Sequence, residues 1–210
     1  MNQPAPQQQT SLPLHPLEPS GDLTQSSDQN AKAESRRYGV RDAAFQAAAQ
    51  GGGENYFSAF ALFLHASPFH IGILSALPQL VGVVAQLLSV KLLQYLRMPA
   101  QLLIGGGWAQ ALCWLPILSL PLLLPEHGPW LLIGCAMLYF AFGHATAPVW
   151  NSLLVDVVET SSRGAYFAQR ARVTALTSFV TLGIAGTVLT LGQKWELSWI
   201  GFLIIFLGAA

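Results

Sequence analysis

Residues 127–155 read HGPWLLIGCAMLYFAFGHATAPVWNSLLV, a run of 29 consecutive positions without Asp, Glu, Lys or Arg. A helix of about 20 largely apolar residues is long enough to cross the roughly 30 Å hydrocarbon core of a bilayer. Three further runs without these charged residues cover positions 55–90, 98–125 and 173–193. Because each run can hold at least one span, the sequence predicts an all-α, polytopic membrane helix bundle.

Charged residues are scarce along the chain and concentrated at its start. Of 210 residues, 52% are hydrophobic and 10% are charged, with 10 basic residues balancing 10 acidic ones. Soluble domains carry about a quarter charged residues. The composition therefore excludes a soluble enzyme, a nucleic-acid-binding module with a basic face and a disulfide-stapled secreted domain. We also expect no cofactor and no bound metal.

The first 40 residues differ in composition from the rest. They are rich in Gln, Pro and Ser, and they lack the basic start and short apolar core of a secretory signal. A segment of this kind buries too little apolar surface to offset the entropy lost on ordering. Residues 1–40 are therefore predicted to be a disordered tail, and the first span is predicted to act as an uncleaved anchor.

The apolar runs, divided at turn and charge signals, predict five complete spans and a sixth that is incomplete. The predicted spans are 43–66, 70–94, 100–124, 129–155, 173–192 and 197–210. The last holds 14 residues, which is about 21 Å of helix and falls short of a bilayer. We therefore expect the sequence to be a fragment of a longer protein.

Basic residues alternate between the predicted connections. Nine Lys and Arg residues lie before span one, between spans two and three, and between spans four and five, whereas Lys194 alone lies in the other connections. Cytoplasmic loops carry the excess of basic residues. The pattern predicts a cytoplasmic N-terminus in a cell membrane, with the bacterial inner membrane as the expected location.

Three predicted spans carry polar residues on one helical face, because these residues recur three or four positions apart. The faces comprise Gln46, Gln50, Glu54 and Ser58; Ser75, Gln79, Gly82 and Gln86; and Thr174, Thr177, Ser178 and Thr181. Such faces form either hydrogen-bonded seams between helices or the lining of a shared aqueous pathway.

Two ionisable residues lie near the middle of predicted spans. Glu54 is the only acidic residue well inside one, and a carboxyl group in hydrocarbon is either a proton relay or a neutral hydrogen-bonded group. His144 is either a core residue or a substrate or proton ligand. Beside Glu54, residues 51–53 are all glycine, which permits close helix packing or local unwinding.

Two stretches resemble the N-terminal half of a major facilitator superfamily transporter. Residues 150–170, WNSLLVDVVETSSRGAYFAQR, are similar to the connection after the fourth helix in many bacterial members, and residues 72–80, GILSALPQL, are similar to second helices. Residues 90–97, VKLLQYLR, lack the glycines and the acid that the family often has in its loop between helices two and three.

The resemblance implies two six-helix halves, each made of inverted three-helix repeats around a midplane site. It also implies that Asp156, Arg163 and Arg170 form a charged cytoplasmic gate, although basic residues here could instead anchor the chain to the membrane surface. The residues predicted to line the substrate or ion pathway are Glu54, Gln50, Gln79, Gln86, His144, Asn151, Thr177 and Thr181.

The sequence thus predicts a secondary active transporter that moves a small solute by alternating access, with proton coupling through Glu54. The expected partners are the lipid bilayer, a small-molecule substrate, the proton and the missing C-terminal half. The alternative is a non-transporting six-helix membrane scaffold, an assembly partner or an inactive truncated product. Enzyme signatures such as HExxH and a phosphate-cradling loop are absent from the sequence, so no enzymatic activity is expected.

Overall fold

The computed structural model describes residues 21–93, 99–123, 127–158 and 162–210, with the side chains of 21–32, 99, 123 and 154–157 left out. Within these ranges the chain is helical and contains no strand. The helices are α1 (Gly21–Gly52), α2 (Phe57–Phe63), α3 (Pro68–Leu93), α4 (Pro99–Leu112), α5 (Trp114–Leu123), α6 (Gly128–Val157), α7 (Arg163–Lys194) and α8 (Ser198–Ala209).

Four helical segments are long and apolar enough to cross a membrane. They are Pro68–Leu93, Ala100–Leu122, Gly128–Leu153 and Arg163–Lys194. Large apolar side chains such as Leu87 and Phe179 are exposed on the outside of the bundle, at 65% and 76%. An apolar exterior of this extent matches a lipid environment, because soluble proteins rarely expose large contiguous apolar patches.

The first predicted span, 43–66, is not one continuous helix. Helix α1 ends at Gly52, a 3-10 turn covers Glu54–Tyr56, and α2 then runs only to Phe63. Three consecutive glycines weaken a helix because each one is about 1 kcal/mol less favourable than alanine. Among the described residues, the structure therefore has four full-length candidate spans where the sequence predicted five.

The two ends of the chain also differ in part from prediction. Residues 21–40, predicted as disordered, belong to α1, whose C-terminal part contains many strong helix formers such as Ala and Gln. Residues 1–20 of the predicted tail lie outside the described residues. The fifth predicted span, 173–192, forms the C-terminal part of a longer helix, which begins at Arg163 and ends at Lys194. The short last helix, α8, agrees closely with the predicted incomplete span.

Proline and capping residues explain several helix boundaries. The ring of Pro116 is incompatible with a hydrogen bond to the carbonyl of Leu112, which separates α4 from α5 at Cys113. Ser67 caps α3: its Oγ accepts a hydrogen bond from the backbone N–H of His70, 3.4 Å away, and Pro68 occupies the first helical position.

Helix α6 is central to one half of the packing and α1 to the other. Helix α6 packs against α3, α4 and α5, whereas α1 packs against α7 and α8. The two groups meet in an aromatic cluster, which we define as Phe57, Phe60, Phe63, Trp114, Tyr139, Phe140, Phe202 and Phe206. Ring centroids in this cluster lie 5.1 Å apart for Phe60 and Phe206 and 5.2 Å apart for Trp114 and Tyr139. Such contacts are typical of edge-to-face and tilted ring pairs.

Candidate functional site

A polar cavity of about 790 Å³ opens between the helices of the two groups. Residues from α1, α3, α4, α5, α6, α7 and α8 line it, so it lies at the centre of the bundle. Its polar and aromatic lining is unusual for a chain so poor in polar residues. The lining includes Asp42, Gln46, Gln50, Glu54, Gln79, Gln110, Trp114, Tyr139, His144, Thr146, Trp150, Asn151 and Arg170.

The inner end of the cavity is formed by a carboxyl and phenol pair. The Tyr139 hydroxyl donates a hydrogen bond to Oε1 of Glu54, with an O–O distance of 2.8 Å, and joins positions 85 residues apart. Gln110 from α4 hydrogen-bonds the same hydroxyl. Tyr139 is 3% exposed, whereas Glu54 is only partly buried. The carboxyl group can therefore contact the cavity while the tyrosine fixes its position.

Local unwinding places Glu54 at this point. Gly53 has φ −114° and ψ −73°, and Glu54 starts the 3-10 turn that follows. A Cβ atom on Gly53 would lie 2.7 Å from Cη2 of Trp114 and from Cβ of Ala209. Both uses of the glycine run that the sequence left open therefore occur, because the helix unwinds at Gly53 and packs closely there as well.

The aromatic cluster closes the cavity beyond the Glu54–Tyr139 pair. Phe57 lies 5.4 Å from Trp114 and 5.9 Å from Tyr139, measured between ring centroids. Trp114 is also 5.1 Å from Phe206 of α8. These rings belong to α2, α5, α6 and α8, so four helices contribute to the closed end.

His144 lies on the cavity wall where α6 packs against α3. A Cβ atom on Gly82 would lie 2.8 Å from Cδ2 of His144, so the imidazole ring rests directly on that glycine. One turn further along α6, Pro148 lacks the N–H that would bond to the carbonyl of His144. The cavity wall thus carries both an imidazole ring and a backbone carbonyl released from the helix ladder.

The outer end of the cavity is formed by the second half of α1, the end of α6 and the first part of α7, and it carries charged and polar groups. Asp42 and Arg170 both line it, and Asp42 Oδ2 accepts a hydrogen bond of 3.0 Å from Gln46. Burial raises the pKa of the Asp42 carboxyl above its usual value, and the positive charge of Arg170 opposes this shift. Because the pKa of Asp42 is raised overall, the loss of water around its carboxyl group has a larger effect than the attraction to Arg170.

Most of the predicted pathway residues line the cavity, but three do not. The cavity brings together Glu54, Gln50, Gln79, His144 and Asn151, whereas Gln86, Thr177 and Thr181 are not part of its lining. The Thr181 hydroxyl instead donates 2.8 Å to the carbonyl of Thr177 and packs on Gly51 of α1. The polar face of α7 therefore includes a helix–helix seam, as in the alternative interpretation of the sequence.

The three predicted gate residues lie in different surroundings. Arg163 donates a hydrogen bond from Nε to the carbonyl of Val158, with an N–O distance of 3.1 Å. Arg170 lies farther along α7 and lines the cavity. The side chain of Asp156 lies outside the described residues, so its relation to either arginine rests on the sequence alone.

Sequence reasoning missed several residues that define the site. Gln110, Tyr139, Trp150 and Asp42 all line the cavity. The pairing of Glu54 with Tyr139 depends on how two distant helices are aligned, which hydropathy does not reveal. Gln110 carried a usable signal, because it is an amide inside an apolar run of the kind that pointed to Gln50 and Gln79.

The site contains no cluster suited to metal binding among the described residues, where no three His, Cys, Asp or Glu side chains come together. Its chemistry is hydrogen bonding and charge, with the carboxyl groups of Glu54 at the inner end and Asp42 at the outer end. Comparisons with protein-family models, curated proteins and solved structures give no match.

Proposed function

We propose that this chain forms one half of a secondary active transporter, which moves a small solute across a membrane by alternating access and couples that movement to protons. The observation that carries the proposal is the polar cavity that ends at the Glu54–Tyr139 pair inside an apolar helix bundle. Ionisable groups inside membrane bundles commonly mark substrate and ion pathways.

Glu54 is the proposed coupling group because it is both accessible and held in place. In its ionised form it accepts the hydrogen bond from Tyr139, and the neighbouring aromatic cluster offers no compensating charge. Protonation from water in the cavity removes the charge without breaking the fold. The ionised form of Glu54 is disfavoured when the cavity loses water, and the protonated form is not. Proton binding can therefore shift the equilibrium between conformations that differ in the hydration of Glu54, as a proton-coupled step requires.

The packing supports a half-bundle built from two related triplets. Each predicted span is counted here as one helical unit. The first triplet then consists of α1 with α2, α3, and α4 with α5, and the second consists of α6, α7 and α8. The first helix of each triplet packs against the second and third helices of the other, as α1 does with α7 and α8 and as α6 does with α3 and α4. Contacts of this extent between the two triplets favour a site at the interface between two repeats.

The remaining partners follow from the same proposal. The bilayer covers the exposed apolar faces, and a second half-bundle completes the pathway. Four basic residues lie between positions 32 and 41 of α1, and Arg163, Arg170 and Arg172 lie in the first part of α7. By the rule that cytoplasmic segments carry the excess of Lys and Arg, the outer end of the cavity would face the cytoplasm. Rocking of the two half-bundles would make and break contacts of Asp156, Arg163 and Arg170.

Cysteine accessibility tests the aqueous pathway without knowledge of the substrate. In a background carrying Cys113→Ala and Cys135→Ala, Gln50→Cys should react rapidly with a membrane-impermeant thiol reagent added from the N-terminal side of sealed vesicles. Phe179→Cys, on the outward apolar face of α7, is the matched control and should react at least about tenfold more slowly, because lipid excludes the reagent.

Two results would count against transport. Equal, slow labelling of Gln50→Cys and Phe179→Cys would show that the cavity does not take up water. In the intact protein with both half-bundles, labelling of Gln50→Cys from one side only under every solute and pH condition would favour a non-transporting membrane scaffold, because alternating access requires exposure to each side in turn.

A further inference from the structure

Three buried polar atoms at or beside the outer end of the cavity have no hydrogen-bond partner in the described part of the chain. They are Nε1 of Trp150, the hydroxyl of Tyr166 and Nε of Arg170. Buried donors are nearly always paired in folded proteins, and an unpaired one costs about 1–3 kcal/mol. Three such atoms in one region indicate a missing partner.

Two of these groups line the cavity, and the third is packed beside it. Trp150 and Arg170 line it, and Trp150 packs against the small buried cluster that contains Tyr166 and Val158. The Tyr166 hydroxyl lies within electrostatic reach of Arg170. Tyr166 is only 6% exposed, so bulk water does not satisfy its hydroxyl from outside the bundle.

The hydrogen-bonding properties of the three groups determine which kind of ligand could pair with them. Indole and guanidinium nitrogens donate hydrogen bonds and do not accept them, and a phenol donates as well. A ligand that satisfies all three must therefore offer several acceptor lone pairs. A carboxylate has two oxygens with about four acceptor positions, and its negative charge is matched by Arg170.

We propose that the outer end of the cavity binds the carboxylate group of a small organic acid, with Arg170 and Trp150 as direct donors and the Tyr166 hydroxyl completing the site. This inference rests on the proposed transport function, because it names the class of solute. Asp42 and Glu54 also line the cavity, so the site favours a monocarboxylate over a dicarboxylate, whose second charge would meet two acidic groups.

Equilibrium binding of radiolabelled benzoate to the full chain in phosphatidylcholine nanodiscs tests the proposal. Benzoate should bind saturably, and benzamide, which has a similar shape but no charge, should not compete at equal concentration. Arg170→Gln should weaken benzoate binding about tenfold or more, and Trp150→Phe by several-fold, because each removes a donor. Arg170→Lys should recover part of the affinity.

The matched control is Arg172→Gln, which removes the same charge from an exposed position two residues farther along α7. It should leave benzoate binding unchanged. Helix content and gel-filtration behaviour will show whether each variant is folded, and Tyr166→Phe provides a milder change if Arg170→Gln is not. Equal binding to wild type and Arg170→Gln would overturn the proposal. So would equal competition by benzamide.

The benzoate-binding and cysteine-labelling experiments together distinguish failure of the carboxylate site from failure of the transport function. Benzoate binding that depends on Arg170, without labelling of Gln50→Cys from both sides, would support a carboxylate site in a protein that does not transport. Alternating labelling with no benzoate binding would support transport and reject the carboxylate assignment.

Discussion

Glu54 and Tyr139 show how single residues define the proposed mechanism. The carboxyl group lies where α1 unwinds, and the phenol that donates to it comes from the middle of α6. Removal of the acid eliminates the proton-exchanging group, whereas removal of the phenol leaves that group in place but less well positioned. The two substitutions should therefore have effects of different size.

Glu54→Gln is expected to abolish proton-coupled uptake by the intact transporter, and Tyr139→Phe is expected to reduce it by about ten- to a hundredfold, on the scale of one hydrogen bond to a charged group. The measurement is solute-driven proton flux in proteoliposomes with an internal pH dye. Glu196→Gln, which removes an exposed acid beyond α7, should behave as wild type. Unchanged proton flux in Glu54→Gln would exclude the coupling role.

Asp42 provides a test based on pH. Its folded-state pKa is raised above the ordinary value of 3.8, chiefly because burial disfavours the charge. The folded state therefore holds the proton more tightly than the unfolded state, so stability falls as pH rises from about 3.8 through the raised pKa. Above the raised pKa, the destabilisation caused by the charged Asp42 carboxylate no longer changes with pH.

Asp42→Asn should therefore raise the thermal unfolding temperature at neutral pH, and the gain should shrink to nothing as the pH falls below 3.8. Unfolding in detergent, followed by circular dichroism across this pH range, measures the difference. Glu34→Gln, at an exposed position on the same helix, controls for the loss of one negative charge. A variant less stable than wild type at pH 7 would show that attraction to Arg170 dominates.

The sequence identified Glu54 as a site residue because an acid within an apolar run is rare, and it identified Gln50, Gln79, His144 and Asn151 through polarity inside spans. It could not assign Thr177 and Thr181 to a seam or a pathway, since both environments accept hydroxyl groups. Trp150 and Tyr139 look like ordinary apolar core residues in sequence. Their polar atoms matter only because of where the fold places them.

Among the secondary-structure elements, the break between α1 and α2 has the clearest physical cause. Gly53 lies against Trp114 and Ala209 with no room for a side chain, whereas no described heavy atom lies within 4 Å of a Cβ placed on Gly52. Adjacent glycines therefore serve different purposes. Gly53 permits contact with α5 and α8, and Gly52 lowers the helix propensity that would otherwise extend α1.

Gly53→Ala is expected to destabilise the bundle by about 1–3 kcal/mol, because the new methyl group overpacks the contact with Trp114 and Ala209. Gly52→Ala should be neutral or stabilising by up to about 1 kcal/mol, since it only raises helix propensity. Free energies of unfolding in mixed micelles compare the two. Equal effects at the two positions would show that the close packing at Gly53 is unimportant.

Two turns end in residues with unusual backbone angles. His65 and Glu196 have φ of 60° and 58°. Each follows the end of a helix in a Schellman motif, in which the N–H of Ala66 donates to the carbonyl of Ala61 and the N–H of Leu197 donates to the carbonyl of Gly192. His65→Gly should stabilise the protein by about 1 kcal/mol because glycine adopts this conformation without strain. His65→Ala, measured by the same unfolding assay, should give no gain.

For the whole molecule, hydropathy predicted where most helices lie but not which helices touch. The long apolar helices α3, α6 and α7 and the short α8 follow from apolar runs and their boundaries, because crossing hydrocarbon requires that length. The exchange of partners between the two triplets depends on small residues such as Gly82 and Gly106, whose contacts with α6 have no signature in sequence. The division of the first span was left open in sequence, because the glycines at 51–53 permit either close packing or local unwinding.

A disulfide trap tests this packing directly. A Cβ placed on Gly106 of α4 would lie 3.9 Å from Cβ of Thr146 on α6, within the range for a disulfide. In the cysteine-free background, Gly106→Cys with Thr146→Cys should therefore cross-link on mild oxidation. Gly105→Cys with Thr146→Cys should not, because a side chain at Gly105 meets open space. Cross-linking of the second pair alone would mean that α4 is rotated relative to α6.

The aromatic cluster sets the energetic balance between two states of the proposed transporter. Eight rings from four helices interlock on one side of Glu54, and the opposite side is an open cavity. In the proposed cycle, reversal of access requires these rings to part, so the described arrangement, with the rings packed, is one of the two states in equilibrium. A ligand shifts that equilibrium only by its difference in affinity for the two states. Trimming Phe206 should therefore favour the opposite state and weaken the dependence of transport on the proton gradient.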